Sequence, residues 1–219
     1  MSALVLAPHL AQQVDNTRFL RVDSDRLELY IVLDYLSAEE CDTLVRTGET
    51  RLRDSTVTVD PGDPEYRTSQ TCDIGFLDEP LVPELQTRIA QTLGVPIQHA
   101  EVMQLQRYAP GQQFKGHTDY FEPNSQEYNE NCLTEGNRTW TFMIYLNDVT
   151  EGGETRFDAL EIAFKPRRGM AVIWNNWRAG LPNPDTTHAG LPVIQGVKYI
   201  VTQWFREKPC LSGGGGSPY

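Results

Sequence analysis

The sequence predicts a mostly β fold of the α+β type, a jelly roll or β-sandwich with its N-terminal helices packed on one sheet. Two observations carry this. Capped helix signals occupy the first half of the chain, and from about residue 99 the hydrophobic period shortens to that of strands. The later runs are short, rich in β-branched and aromatic residues, and separated by turn residues.

Taken in order, Ser37-Ala38-Glu39-Glu40 reads as a capping box, with Ser37 as N-cap and Glu40 reaching back; the helix runs to about Gly48. Val82-Pro83-Glu84 opens a second helix with Pro83 in its first turn and Gly94 just past its end. Leu85, Ile89 and Leu93 form its apolar stripe. Strand-like runs follow at Ala100 to Tyr108, Thr139 to Leu146, Glu154 to Phe157, Ile162 to Phe164, Gly169 to Trp174 and Val197 to Phe205. Asp60 to Arg67 is turn-rich and Glu122 to Asn137 is polar and acidic; both read as loops, either lids or plain surface. Leu211 to Tyr219 has flexible linker composition, which leaves residues 1–210 as a single domain.

The 219 residues suit one domain with a sizeable core. A formal net charge of −11 argues against nucleic acid or an anionic membrane as partner, because phosphate binding needs a surplus of Lys and Arg. Lys165-Pro166-Arg167-Arg168 is the only basic cluster and reads as a solvated turn. Cys41, Cys72, Cys132 and Cys210 lack zinc-type spacing, so free thiols are expected, two buried and two incidental. No apolar run reaches the ~18 residues of a membrane span. Met1 to Val14 lacks the basic segment and cleavage site of a signal peptide, so a cytoplasmic location is expected.

Gly116-His117-Thr118-Asp119 carries the chemistry. If it lies in a strand, side chains two apart share a face, and an imidazole and a carboxylate project into the same space. His188, from a distant strand, would complete a two-His-one-carboxylate set, which suits non-haem Fe(II) with positions open for O₂ and a cosubstrate. His9 and His99 have no such setting. Lys198 begins a strand in which residues 198, 200, 202 and 204 share a face. A lysine on an inward face is costly unless it meets an anion, and a dicarboxylate would be one; alternatively it snorkels to solvent.

With these residues in place, the stretch from Tyr108 to Glu207 resembles the catalytic core of the 2-oxoglutarate- and Fe(II)-dependent prolyl 4-hydroxylases. The matching segments are Arg107 to Asp119, Thr141 to Leu146, Glu151 to Phe157, Lys165 to Met170, Thr187 to Gly190 and Gly196 to Phe205, with Arg67-Thr68-Ser69 resembling the substrate-loop segment. The resemblance implies a double-stranded β-helix with its catalytic core at about 100–207. It implies His117, Asp119 and His188 as iron ligands, Lys198 on the far carboxylate of 2-oxoglutarate, Tyr108 and Thr155 bonded to that cosubstrate, and Trp204 lining the cavity. Arg138 falls at a substrate-side arginine, with an ordinary surface charge as the alternative; Arg67 and Ser69 would also face the substrate.

The resemblance further implies Fe(II), 2-oxoglutarate, O₂ and ascorbate as reductant, and hydroxylation at C4 of a prolyl residue in a peptide or protein. Phe114 stands where relatives often carry tyrosine, which removes a hydrogen bond worth ~1 kcal/mol. Arg206 stands where some carry histidine. Both departures lie on the substrate side. A hydroxylase of a free amino acid or small metabolite, and a non-catalytic jelly roll that binds or senses, stay open from the residues alone.

Overall fold

The computed structural model describes residues 19–58 and 62–210. The chain forms strands β1 (Phe19–Arg21), β2 (Leu29–Val32), β3 (Arg53–Asp54), β4 (Gln70–Cys72), β5 (Gln104–Tyr108), β6 (Phe114–His117), β7 (Arg138–Tyr145) and β8 (Glu151–Gly152). After these come β9 (Thr155–Phe157), β10 (Ile162–Phe164), β11 (Ala171–Asn175), β12 (Trp177–Arg178), β13 (Leu181–Pro182), β14 (His188–Gly190), β15 (Val193–Gln195) and β16 (Lys198–Arg206). Three α-helices accompany them: α1 (Ala38–Glu49), α2 (Leu81–Leu93) and α3 (Gln126–Asn131). The major sheet has eight strands in the order β1-β2-β11-β7-β16-β5-β4-β3, and the facing sheet has four, β10-β9-β14-β6. Every pairing is antiparallel, so the two sheets make the predicted jelly roll.

Alternation along the central strands builds two cores. In β7, Phe142 and Ile144 pack toward α1 and α2, while Met143 and Tyr145 face the second sheet. In β11, Ala171 and Ile173 point one way and Val172 and Trp174 the other. The period of two forces this split. The helices cover one face with Leu44, Leu85, Ile89 and Leu93, and the other face is left to form the cavity wall.

Both helix ends follow the sequence. The Ser37 hydroxyl accepts from the Glu40 amide at 3.2 Å, and the Glu40 carboxylate accepts from the Ser37 amide at 2.7 Å. Gly94 closes α2 with φ 66°, a left-handed conformation that costs glycine least. Gly169 has φ +77°, and a Cβ there would stand 2.3 Å from the Leu36 carbonyl. That close approach lets the Tyr35 amide donate to Gly169 O at 2.8 Å and docks the start of α1 on the sheet.

Several expectations need correction. The run from Ala100 becomes a ladder strand only at Gln104, because Ala100 makes one isolated bridge to Phe205. β2 was not anticipated: Leu29–Val32 is buried on both faces and shows no alternation to read. The segment Glu122 to Asn137 contains α3, capped by Ser125. All four cysteines are free and all are buried, so none is incidental. Met1 to Val14, the Leu211 to Tyr219 tail and part of the loop from Asp60 lie outside the described residues. No helix among the described residues is long and apolar enough to cross a membrane.

Replacing Ser37 with alanine removes one half of the box. Its unfolding free energy in urea should fall by about 1 kcal/mol, with an unchanged far-ultraviolet spectrum.

Candidate metal centre

β14 pairs with β6 so that His188 is the direct partner of His117. That register sets the two imidazoles 4.3 Å apart, centroid to centroid. The expectation that Asp119 shares a strand with His117 is corrected: β6 ends at His117, and Asp119 sits in the bend that follows. The carboxylate is positioned instead by its contacts. The Thr141 hydroxyl donates to Asp119 Oδ2 at 2.7 Å, and Arg138 donates to the Asp119 carbonyl at 3.3 Å. Asp119 Oδ1 lies 3.8 Å from His117 Nε2, and Oδ2 lies 3.9 Å from His188 Nε2. One donor atom from each of the three residues falls within 4.8 Å of the others.

The donor set fits a metal. His117 Nδ1 contacts the Lys115 carbonyl at 2.8 Å, and His188 Nδ1 contacts the Thr186 carbonyl at 2.9 Å. A carbonyl only accepts, so each Nδ1 carries the proton and each Nε2 presents a lone pair inward. Burial, with His188 alongside, pushes the His117 imidazole down to about 3, so it is neutral. Burial alone would raise Asp119, but His188, His117, Arg138 and the Thr141 hydroxyl outweigh it and hold the carboxyl below its usual range. Two imidazoles and one carboxylate suit a borderline divalent ion such as Fe(II).

These groups open into a cavity of about 750 Å³. Lys198, Tyr108, Thr155, Trp204, Arg138, Phe114 and Arg67 also line it. Ser69 does not: it is 1% exposed, with its hydroxyl 2.9 Å from that of Ser55, which fixes it behind the wall. The even-numbered face of β16 supplies Lys198, Ile200, Thr202 and Trp204 to the cavity, while Val201 and Phe205 pack against the helices. Lys198 does not snorkel. It is 2% exposed, flanked by the Tyr108 and Tyr145 rings, and no carboxylate among the described residues pairs with it. Burial pushes its ammonium down to about 7, with Glu154 pulling the other way.

On the other side, Arg138 is not a surface charge. Its guanidinium holds Glu101 through two bonds of 2.7 and 2.8 Å and lies 4.1 Å over the Trp204 ring. Arg206 meets the same carboxylate at 2.5 Å and donates to the Gly136 carbonyl at 2.8 Å. Phe114 stacks on His117 at 3.5 Å, and Arg67 covers its ring at 4.7 Å. Sequence reasoning missed Glu101 and Thr141. A threonine within a strand is an ordinary sheet former, so it gives no signal by itself.

The description "2OG-Fe(II) oxygenase superfamily" matches residues 103–206. Prolyl 4-hydroxylase 1 of Arabidopsis thaliana is 32% identical, covering 82% of this chain and 69% of the relative. Prolyl 4-hydroxylase subunit alpha-2 of Gallus gallus is 32% identical over 80% of this chain, which spans about a third (33%) of that subunit's length. A solved structure of a viral collagen prolyl hydroxylase from Paramecium bursaria Chlorella virus-1, in complex with 2OG, superposes with a TM-score of 0.64 at 26% identity. That match covers 84% of this chain and 97% of the viral one.

Lys198 gives a test with a definite sign. Its folded-state pKa lies below its unfolded one, so the unfolded chain binds more protons between about pH 7 and the ordinary lysine range. Ligand-free protein should gain stability as pH rises through that window and lose it on the way back down. Lys198→Met should flatten this slope and raise the melting temperature at pH 7 by a few degrees, on the order of 2–8 °C, measured by calorimetry with no anion present.

Proposed function

We propose that this chain, which belongs to the prolyl 4-hydroxylase branch of the 2OG-Fe(II) oxygenase superfamily, hydroxylates prolyl residues at C4 in a peptide or protein. Fe(II), 2-oxoglutarate and O₂ are its cofactor and cosubstrates, with ascorbate as reductant. One observation carries the reading: three inward-turned donor groups share a single cavity with a buried lysine that lacks a counter-ion. The relatives named as prolyl 4-hydroxylases and the viral enzyme solved with 2OG support it. Four unpaired, buried thiols also suit a reducing compartment such as the cytoplasm.

In this reading His117, Asp119 and His188 hold the iron. When bound, iron with 2-oxoglutarate and O₂ supplies the oxidising power to insert one oxygen atom into an unactivated C–H bond, while the cosubstrate leaves as succinate and CO₂. The chain's own work is binding and orientation. Lys198 takes the far carboxylate of 2-oxoglutarate, which relieves the cost of its own burial. Tyr108 and Thr155 line the same cavity; the Tyr108 hydroxyl donates to Gln106 Oε1 at 3.1 Å and would turn from it to meet the carboxylate. Thr155 Oγ lies 2.6 Å from the Tyr145 hydroxyl, which also reaches the Phe164 carbonyl at 3.1 Å, so the side chain is held at the cavity wall beside Lys198.

Substrate enters past Arg67, Phe114, Arg138 and Trp204. The Arg138–Trp204 stack offers flat surface to a pyrrolidine ring, and the Phe114 edge adds apolar wall beside it. Tyr66 donates to the Gly116 carbonyl and Thr58 bonds Glu127 of α3, so both residues stand at the cavity wall.

Purified protein with Fe(II), ascorbate and 2-oxoglutarate should add the mass of one oxygen atom to proline-containing peptides and release matching succinate. Turnover of free amino acids with no peptide product would discard the assignment. Asp119→Ala should lower succinate release at least a hundredfold, on the order of 10² or more. Lys198→Met should raise the 2-oxoglutarate concentration needed for half-maximal rate by a comparable factor and spare metal binding.

A further inference from the structure

Among the described residues a buried chain of hydrogen bonds runs behind the metal centre and joins two of its ligands. Asp119 Oδ2 accepts from the Thr141 hydroxyl at 2.7 Å, and that hydroxyl accepts from Asn176 Nδ2 at 3.0 Å. The Asn176 carbonyl accepts from the Asn183 amide at 2.9 Å. The Asn183 carbonyl accepts from the Thr186 hydroxyl at 2.7 Å, and the Thr186 carbonyl receives His188 Nδ1 at 2.9 Å. Thr141, Asn176 and Thr186 are fully buried, and Asn183 is 3% exposed.

Asn176 Oδ1 is buried and has no hydrogen-bond partner among the described protein atoms. Turning the amide over would present that oxygen to Thr141, and the arrangement shows why this does not happen. A threonine hydroxyl has a single proton. If Thr141 gave it to Asn176, nothing would be left for the Asp119 carboxylate, which only accepts. With the amide nitrogen facing Thr141, the proton is forced toward Asp119. The orphaned oxygen is the cost of fixing that direction.

We propose that Asn176 is a positioning residue that acts on the metal centre through Thr141: it commits the Thr141 hydroxyl to Asp119 Oδ2, and so sets which carboxylate lone pairs and which orientation face the metal. The backbone of the same residue anchors the turn that aims His188, so one buried position steadies two ligands. This rests on the metal-binding reading above, and its test reads metal affinity rather than turnover.

The experiment is a titration of metal-free protein with Co(II), following its visible absorption and competing with a chelator of known affinity. Thr141→Val should weaken Co(II) by about 10- to 100-fold, and Thr141→Ser should stay within about threefold, by the same reasoning. Asn176→Ala should weaken Co(II) and shift its absorption bands, and the double variant Thr141→Val with Asn176→Ala should bind no more weakly than Thr141→Val alone, because the asparagine acts only through the hydroxyl. Asn176→Asp, nearly isosteric, keeps the test alive if the alanine variant does not fold; it should also weaken Co(II), since its oxygens compete for the Thr141 proton. Effects of the two sites that multiply, or unchanged Co(II) affinity in folded Thr141→Val or Asn176→Asp, would overturn the relay and leave the metal site standing. No Co(II) binding by the unaltered protein would overturn both.

Discussion

The pairing of β14 with β6 is the constraint on which the rest depends. It sets His188 opposite His117 across an antiparallel ladder, although 70 residues of chain lie between them. A slip of one residue would turn one imidazole to the other side of the sheet. The register is held by more than that ladder. β14 also pairs with β9, placing His188 opposite Phe157, whose ring stacks near the imidazole at 5.5 Å. Trp174, from the opposite sheet, meets His188 edge-on at 4.7 Å. Both sheets therefore pack against the same imidazole.

That packing gathers many buried polar groups near one point. Each is costly alone, and most are answered. Both imidazoles give Nδ1 protons to carbonyls, Asp119 takes the Thr141 hydroxyl, and Glu101 stands between two guanidiniums. Lys198 is not answered in this way: among the described residues no carboxylate pairs with this buried amine. A cost of this kind persists where function repays it, and in the proposed reading it marks the end of the cavity that takes a cosubstrate carboxylate.

The substrate side obeys a different rule. Arg138 and Arg206 look like two free cations in sequence, yet Glu101 binds both, and Arg206 further ties down the carbonyls of Asn131 and Gly136 beside α3. Their first task is to shape the wall. Phe114 likewise has a structural role, since it stacks on a ligand imidazole while presenting its other surface to Arg67 and the cavity.

Much of this was legible in the residues. The capping box at Ser37, the Gly94 terminus, the two-residue alternation of β16 and the short His-x-Asp spacing are local patterns, and local patterns follow from backbone geometry that neighbours in sequence share. The doubly buried β2 was hidden because burial on both faces erases alternation. Ser69 was misplaced because only the fold shows that Ser55 holds it behind the wall. Glu101, Thr141 and Asn176 were silent because their roles lie in partners 22 to 105 positions away, across segments that meet only when the sheets close. The sequence by itself determined which groups could bind iron and an anion, since that is a matter of side-chain chemistry and spacing. Tertiary structure alone decided which lone pairs face inward, which charges are already satisfied and which lysine is left waiting, because hydrogen-bond direction and desolvation exist only once distant strands are packed together.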